Sequence, residues 1–268
     1  MIAMTELTRK LTLKPVRHLL ERTVYQPRQR DGQGGAYHPR GRAKLSLVLN
    51  RALIERGTGA PWMWSAERCQ QYWATLERGV ESSTRSGYAA KPTEIVDFMH
   101  DFWRPDVSPT DKVMEIGCNA GANLARLRQL GYSRLSGVEI DTESITELRR
   151  VFPELAETVI HQGSIEDVLP NVKDDAVEVV FAMAVLQHIH PSNNWVFAEL
   201  VRVARRHICV MELELVSTYN HFCRDYSRLF GALGCRQLRA AEISRSSSPE
   251  VAEVYHGYTA RLFSVPGA

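Results

Sequence analysis

The chain has 268 residues, 44% of them apolar and 24% charged, and a formal net charge of +2. That composition excludes a disordered chain, a collagen-like repeat and a disulfide scaffold, and the length suits one α/β-sized domain with or without an appendage. No apolar run is long enough for a membrane-spanning helix, and a charge so near zero does not by itself indicate nucleic acid.

Residues 1–60 are expected to form a basic N-terminal arm. They hold twelve Lys and Arg against four acids, a net of +8, which leaves −6 over the remainder. Leu7, Leu11, Leu19 and Leu20 have helical spacing that Pro15 interrupts, and Asp31–Gly35 reads as a loop. Helical spacing returns over Arg42–Arg56, with Leu45, Leu49, Ala52 and Leu53 on one face and Gly57 as a stop. Such an arm is a solvated extension or a docking surface for a phosphate or an acidic partner. Its Arg-rich, acid-poor start is faintly like a mitochondrial presequence but poor in Ser.

Residues 61–110 read as a helical lead-in or lid. Ser65 caps a helix that runs through Tyr72 and Trp73 to Gly79, and Thr93 caps another that carries Ile95, Val96, Met99 and Trp103 and closes at Pro105. The aromatic cluster Trp62, Trp64, Tyr72, Trp73 and Trp103 is expected to pack rather than to bind a ligand.

From residue 111 onward strands and helices alternate. Apolar runs at Val113–Ile116, Leu135–Ile140, Thr158–His161, Val177–Ala184 and Ile208–Leu213 are separated by helical patterns over Leu124–Leu130, Thr142–Phe152 and Pro191–Ala204, and Tyr219–Leu233 reads as helix after the fifth run. Arg236–Ile243 and Tyr255–Val265 have no helical pattern between them and can close the sheet as an antiparallel hairpin. The alternation predicts an α/β fold with a doubly wound, mostly parallel seven-stranded sheet and a helical N-terminal extension. The five cysteines form no Cys-x-x-Cys pair and no zinc spacing, so they read as reduced thiols in a cytoplasmic protein without a metal.

The first strand leads into Glu115-Ile116-Gly117-Cys118-Asn119-Ala120-Gly121. A dinucleotide fingerprint needs glycines at 117, 119 and 122; Asn119 and Ala122 stand at two of them. What remains resembles motif I of the class I S-adenosylmethionine-dependent methyltransferases, with Asn119 in place of the middle glycine. Three further segments resemble the family in order: Glu139 after the second strand, 22 residues beyond Gly117; Gly163-Ser164-Ile165-Glu166-Asp167 after the third; and Val185-Leu186-Gln187-His188-Ile189 after the fourth. The resemblance covers about residues 88–265 and not residues 1–80.

The resemblance implies S-adenosylmethionine as cofactor and a methyl transfer to an oxygen or nitrogen of a small molecule, a sugar or secondary metabolite. It implies Glu115 at the methionyl amine, Gly117, Asn119 and Gly121 along the cofactor, Glu139 at the ribose, Ser164 and Ile165 at the adenine, and Ala182 and Met183 beside the methyl group. For the acceptor side it leaves His188 first, with Glu212 and Tyr219 as further candidate bases or orienting groups, and Tyr88 in a lid. No Asn/Asp-Pro-Pro-Tyr follows the fourth strand, no Pro-Cys nucleophile occurs and no Asp…Asp-Asn metal set follows the strands, which argues against adenine-N6, pyrimidine-C5 and catechol-type chemistry. Two other readings stay open: an RNA or protein methyltransferase docking through the arm, and a non-catalytic cofactor-fold subunit.

Overall fold

The computed structural model describes residues 42–60, 63–75, 85–91, 93–215, 217–243 and 255–268. The arm up to residue 41, Trp62 and the end of the helix expected to reach Gly79 lie outside these residues.

The alternation after residue 111 becomes strands β1 (Lys112–Ile116), β2 (Arg134–Glu139), β3 (Val159–Gln162), β4 (Val177–Met183), β5 (Ala204–Leu213), β6 (Arg236–Glu242) and β7 (Tyr258–Ser264). They form one sheet in the order β3-β2-β1-β4-β5-β7-β6. The first five run parallel, and β7 inserts antiparallel between β5 and β6. Successive strand residues face opposite ways. Val113, Val179, Phe181 and Met211 therefore pack with helices α4 (Glu94–Trp103), α5 (Ala122–Gln129) and α6 (Thr142–Val151). On the other face Met114, Ile116, Val180 and Val210 pack with α8 (Val196–Val203) and α9 (Tyr226–Ala232), counting the short α7 (Ile165–Val168) in chain order. β1 and β4 are adjacent while the chain winds outward in opposite directions from them, which opens a crevice at their carboxyl ends.

Helices α1 (Arg42–Glu55), α2 (Ala66–Thr75) and α3 (Arg85–Ala89) precede this core. α1 differs from expectation in the face it buries. Ile54 is fully buried with Cys69, Phe222 and Cys223, whereas Leu49, expected inside, is 56% exposed. Arg51 donates to the Glu214 carbonyl and Asn194 to the Ile54 carbonyl, so the second half of α1 packs onto the sheet domain. The helix expected from Tyr219 starts only at Tyr226, behind an Asp225 cap. Thr218, Asn220 and His221 instead hydrogen-bond among themselves, the local competition that keeps such residues out of helices.

Candidate active site

The loop after β1 turns where a side chain cannot fit. Gly117 has φ +70°, and a Cβ there would lie 2.6 Å from Val185 Cγ2; Gly121 has φ +80°, and its Cβ would lie 2.5 Å from Leu148 Cγ. Asn119 also sits in the left-handed region, with φ 47°. Asn tolerates that region better than other side chains, so the residue that breaks the glycine pattern keeps its backbone shape. The Asn119 amide donates to Glu139 Oε2 at 2.7 Å, and the Asp141 amide to Glu139 Oε1 at 2.8 Å. The acid that ends β2 thus ties the two strand exits together. Burial raises its pKa and those amides oppose the rise.

A cavity of about 620 Å³ opens here, within the range of small-molecule sites. Gly117, Asn119, Gly121, Glu139, Ser164, Ile165 and Met183 line it together with His188 and Tyr219. Ser164 caps α7, accepting from the Asp167 amide at 3.1 Å and donating to its carboxylate at 2.6 Å. Two expected cofactor residues stand elsewhere. Ala182 faces the opposite core layer with Val180 and Val210, because strand alternation turns it away; Met183 and Ala184 reach the cavity instead. Glu115 lies behind the wall, 1% exposed, with Oε1 accepting from Asn123 Nδ2 at 2.6 Å and Oε2 unpartnered among the described residues. Burial pushes its carboxyl up to about 8.

On the acceptor side Glu212 corrects the sequence reading. It is fully buried and absent from the cavity wall. Oε1 accepts from the Val185 and Leu186 amides at 3.0 and 2.9 Å, and Oε2 from the Gln187 amide at 3.1 Å. Both oxygens are spent on the loop after β4, so Glu212 positions that loop and meets no substrate. Arg224 holds the same loop through its carbonyls, at Leu186 (3.3 Å) and Ile189 (2.7 Å). Gln187 Oε1 accepts from the Leu213 amide at 2.9 Å, and its Nε2 donates to Tyr258 Oη at 3.2 Å. His188 is thereby fixed at the cavity. Its Nδ1–H donates to the Asn220 carbonyl at 2.9 Å, which leaves Nε2 as the acceptor. Trp73 and His221 flank its ring, each at 4.4 Å between centroids. Burial and His221 hold its pKa well below 6.5, so it stays neutral but is a weaker base than an exposed imidazole. Tyr219 is 48% exposed and packs on Trp64 at 4.6 Å.

Residues 114–207 match the family model described as a methyltransferase domain. The chain carries a class I S-adenosylmethionine-dependent methyltransferase domain. No sequence match occurs among curated proteins. Among solved structures, the magnesium protoporphyrin IX methyltransferase of Synechocystis PCC 6803, solved with S-adenosylmethionine, superposes with a TM-score of 0.52 at 13% identity, over 82% of this chain and 96% of that one. Geranyl diphosphate methyltransferase in complex with GPP and sinefungin gives 0.54 at 14%, over 76% and 99%. The [4+2]-cyclase SpnF gives 0.52 at 13%, over 83% and 93%. At such identities the likeness carries the fold alone, and these proteins carry out unlike chemistries on it.

The methyltransferase site fits its cofactor. The orphaned Glu115 Oε2 suits an ammonium, and Glu139 stands on the wall at the β2 exit, where a ribose binds in such folds. Sequence reasoning missed two residues here: Trp73, assigned to packing, and Lys91 both line the cavity, beside Gln187 and His221. Only the fold brings them together, since they come from four separate segments.

Proposed function

We propose that this methyltransferase transfers the methyl group to an oxygen or nitrogen of a small molecule that presents a flat ring. The observation that carries this reading is the make-up of the acceptor end of the cavity. Tyr72, Trp73, His188, Tyr219 and His221 line it, and the Trp73 indole N–H is buried without a partner among the described residues. Aromatic faces favour stacking on planar groups, and an unpaired buried donor favours an oxygen or nitrogen acceptor atom in the ligand.

The bound cofactor supplies a methyl group on a sulfonium, already activated for displacement. The protein's tasks are then alignment, exclusion of water and removal of at most one proton. Glu139 would take the ribose hydroxyls, and Ser164 and Ile165 the adenine, while Glu115 sets its carboxyl behind the wall toward the methionyl ammonium. Gly117 and Gly121 let the backbone approach, and Met183 and Ala184 form the wall between donor and acceptor. His188 Nε2 accepts a hydrogen bond from the acceptor's attacking group. Its lowered basicity suits an amine that binds neutral or an acidic ring hydroxyl better than an alkyl hydroxyl, which needs a stronger base.

The test is a panel of ring phenols, ring amines and sugars incubated with the enzyme and S-adenosylmethionine, with products read by mass spectrometry. Methylation of ring compounds with quenching of Trp73 fluorescence is expected. Methylation of sugars alone overturns the reading of the acceptor and leaves the methyltransferase assignment intact.

A further inference from the structure

A neutral histidine can use its lone pair in two ways: to accept a hydrogen bond, or to take a proton and become a cation. What stands against its two ring nitrogens decides between them. At His188 a single residue, Gln187, acts on both. Gln187 is buried at the cavity wall, in the turn after β4. Its backbone carbonyl accepts from the Phe222 amide at 2.7 Å. That bond seats the loop whose Asn220 carbonyl takes the His188 Nδ1–H at 2.9 Å.

The Gln187 side chain stands against the other nitrogen. Oε1 meets the Leu213 amide at 2.9 Å, and because a backbone N–H only donates, the oxygen must be the atom on that side. Nε2 is therefore the group that faces Tyr258 Oη at 3.2 Å and His188 Nε2 at 3.4 Å. With the His188 proton on Nδ1, its Nε2 presents a lone pair, and the Gln187 N–H aims a long hydrogen bond at it. A proton added to Nε2 would meet that N–H, donor against donor. The amide cannot turn over to offer its oxygen, because its NH2 group would then oppose the Leu213 N–H.

We propose that Gln187 is a positioning residue that keeps His188 a neutral hydrogen-bond acceptor, so that His188 orients the methyl acceptor without taking up its proton. The inference rests on the proposed function, which places His188 against the acceptor. A donor aimed at the neutral form of a base disfavours the charged form. The other ionisable groups on the elements packed around the ring are Tyr72 on α2, Tyr219 and His221 on the loop ahead of α9, Tyr258 on β7, Glu212 on β5 and Arg224. Glu212 is the acid among them, and its two oxygens are taken by the amides of 185–187. His221 works in the same direction as burial and lowers the basicity of His188. Such a residue serves an amine, whose nitrogen can keep its proton through the attack, better than a hydroxyl that is still protonated.

Nitrogen NMR on the full chain, with isotope-labelled histidines and S-adenosylhomocysteine added, reads tautomer and charge together. The His188 signals are assigned by their loss in His188→Asn. In wild type the ring is expected as the Nδ1–H tautomer and still neutral at about pH 6.5, where an exposed imidazole is half charged. Gln187→Met removes the donor and is expected to raise the titration midpoint by about 0.4–1 pH unit, the worth of one neutral hydrogen bond. Gln187→Glu keeps the shape, puts a carboxylate in place of the donor and is expected to raise it by about 1–3 pH units. A midpoint that does not rise in the folded variants overturns the inference. So does an equal rise in both, the mark of a loosened loop that exposes the ring. A wild-type ring with its proton on Nε2 overturns it without any variant. Methylation of a ring amine, followed against pH in wild type and Gln187→Glu, tests the underlying reading separately. The acid limb of kcat is expected to move up with the NMR midpoint. A midpoint that moves while that limb stays leaves the hold on His188 intact and removes His188 from the acceptor contact.

Discussion

Replacing Arg224 by Met tests whether the loop that carries His188 is clamped from within. The guanidinium is 1% exposed. It donates to the carbonyls of Leu186, Phe222 and Ile189 and, through Nε and one terminal nitrogen, to Asn194 Oδ1. Its plane lies 4.9 Å above the Phe197 ring. Methionine retains most of the stem's volume, so the change removes the donors and the charge more than the packing. Four buried acceptor groups lose a partner, and Glu212 loses the cation that favours its ionised form. Breaking such a buried charged network costs about 3–5 kcal/mol. At about 2–4 °C per kcal/mol for a chain this size, the melting temperature drops by about 6–20 °C. The loss depends on pH in a definite direction. Burial pushes Glu212 up to about 7, and without Arg224 it moves higher still. The variant's folded state then holds a proton over a wider range, so its deficit grows as pH rises through about 7. Circular dichroism melts at about pH 6 and about pH 8.5 measure both effects. A drop under about 3 °C, or one that is the same at both pH values, refutes the clamp, because hydrophobic replacement of a buried ion is sometimes neutral.

Glu139→Gln keeps the shape of the side chain and removes the charge that faces the cavity. It is expected to weaken S-adenosylhomocysteine by about 1.5–3 kcal/mol in calorimetry, and unchanged affinity in the folded variant means that the ribose sits elsewhere. The ligand-free protein should lose melting temperature between about pH 6.5 and about pH 8. Glu115 and Glu212 hold protons in the folded chain that the unfolded chain has released above about 4.5, so their contribution is lost as pH rises through their folded values of about 8 and about 7. The histidines held down by burial, His188 and His100 among them, weaken the fold only as pH falls below 6.5 and do not offset this trend. A melting temperature that rises over that interval contradicts the assignment of raised carboxyls.

Where a local signal and the core agree, the sequence was readable. β1, β2 and β4 are short apolar runs buried on both faces, and each lies within a residue or so of its expected span. The strand exits followed, because an acid and two glycines after an apolar run have few other uses. Where the outcome depended on distant partners, the sequence was silent. The α1 face is set by Phe222 and Cys223, far along the chain, so Leu49 stays outside despite its spacing. Glu212 sits on β5 in a pattern that suits a base as well as a clamp, and only the amides of 185–187 distinguish the two. Trp73 and Lys91 carry no motif; α2 and α3 bring them to the cavity through tertiary packing.

The strained backbone positions at the site explain one another. Of the three described non-glycine residues with positive φ, Asn119 and Ala184 stand at the exits of β1 and β4, the neighbouring strands where the winding reverses. Each costs about 1 kcal/mol or more and persists only where surrounding structure over-determines it. At Ala184 the surroundings are explicit. Its amide donates to the Met211 carbonyl at 2.9 Å, which continues the β4–β5 ladder past its end, and the left-handed turn then sends the next three amides onto Glu212. Val185 follows the same turn and comes to rest where a Cβ on Gly117 would stand. The glycine of the β1 exit is therefore required by the β4 exit, which is itself bent by a carboxylate on β5. That chain of constraints runs across three adjacent strands and ends at His188, placing the acceptor's contact with no freedom left to the loop that carries it.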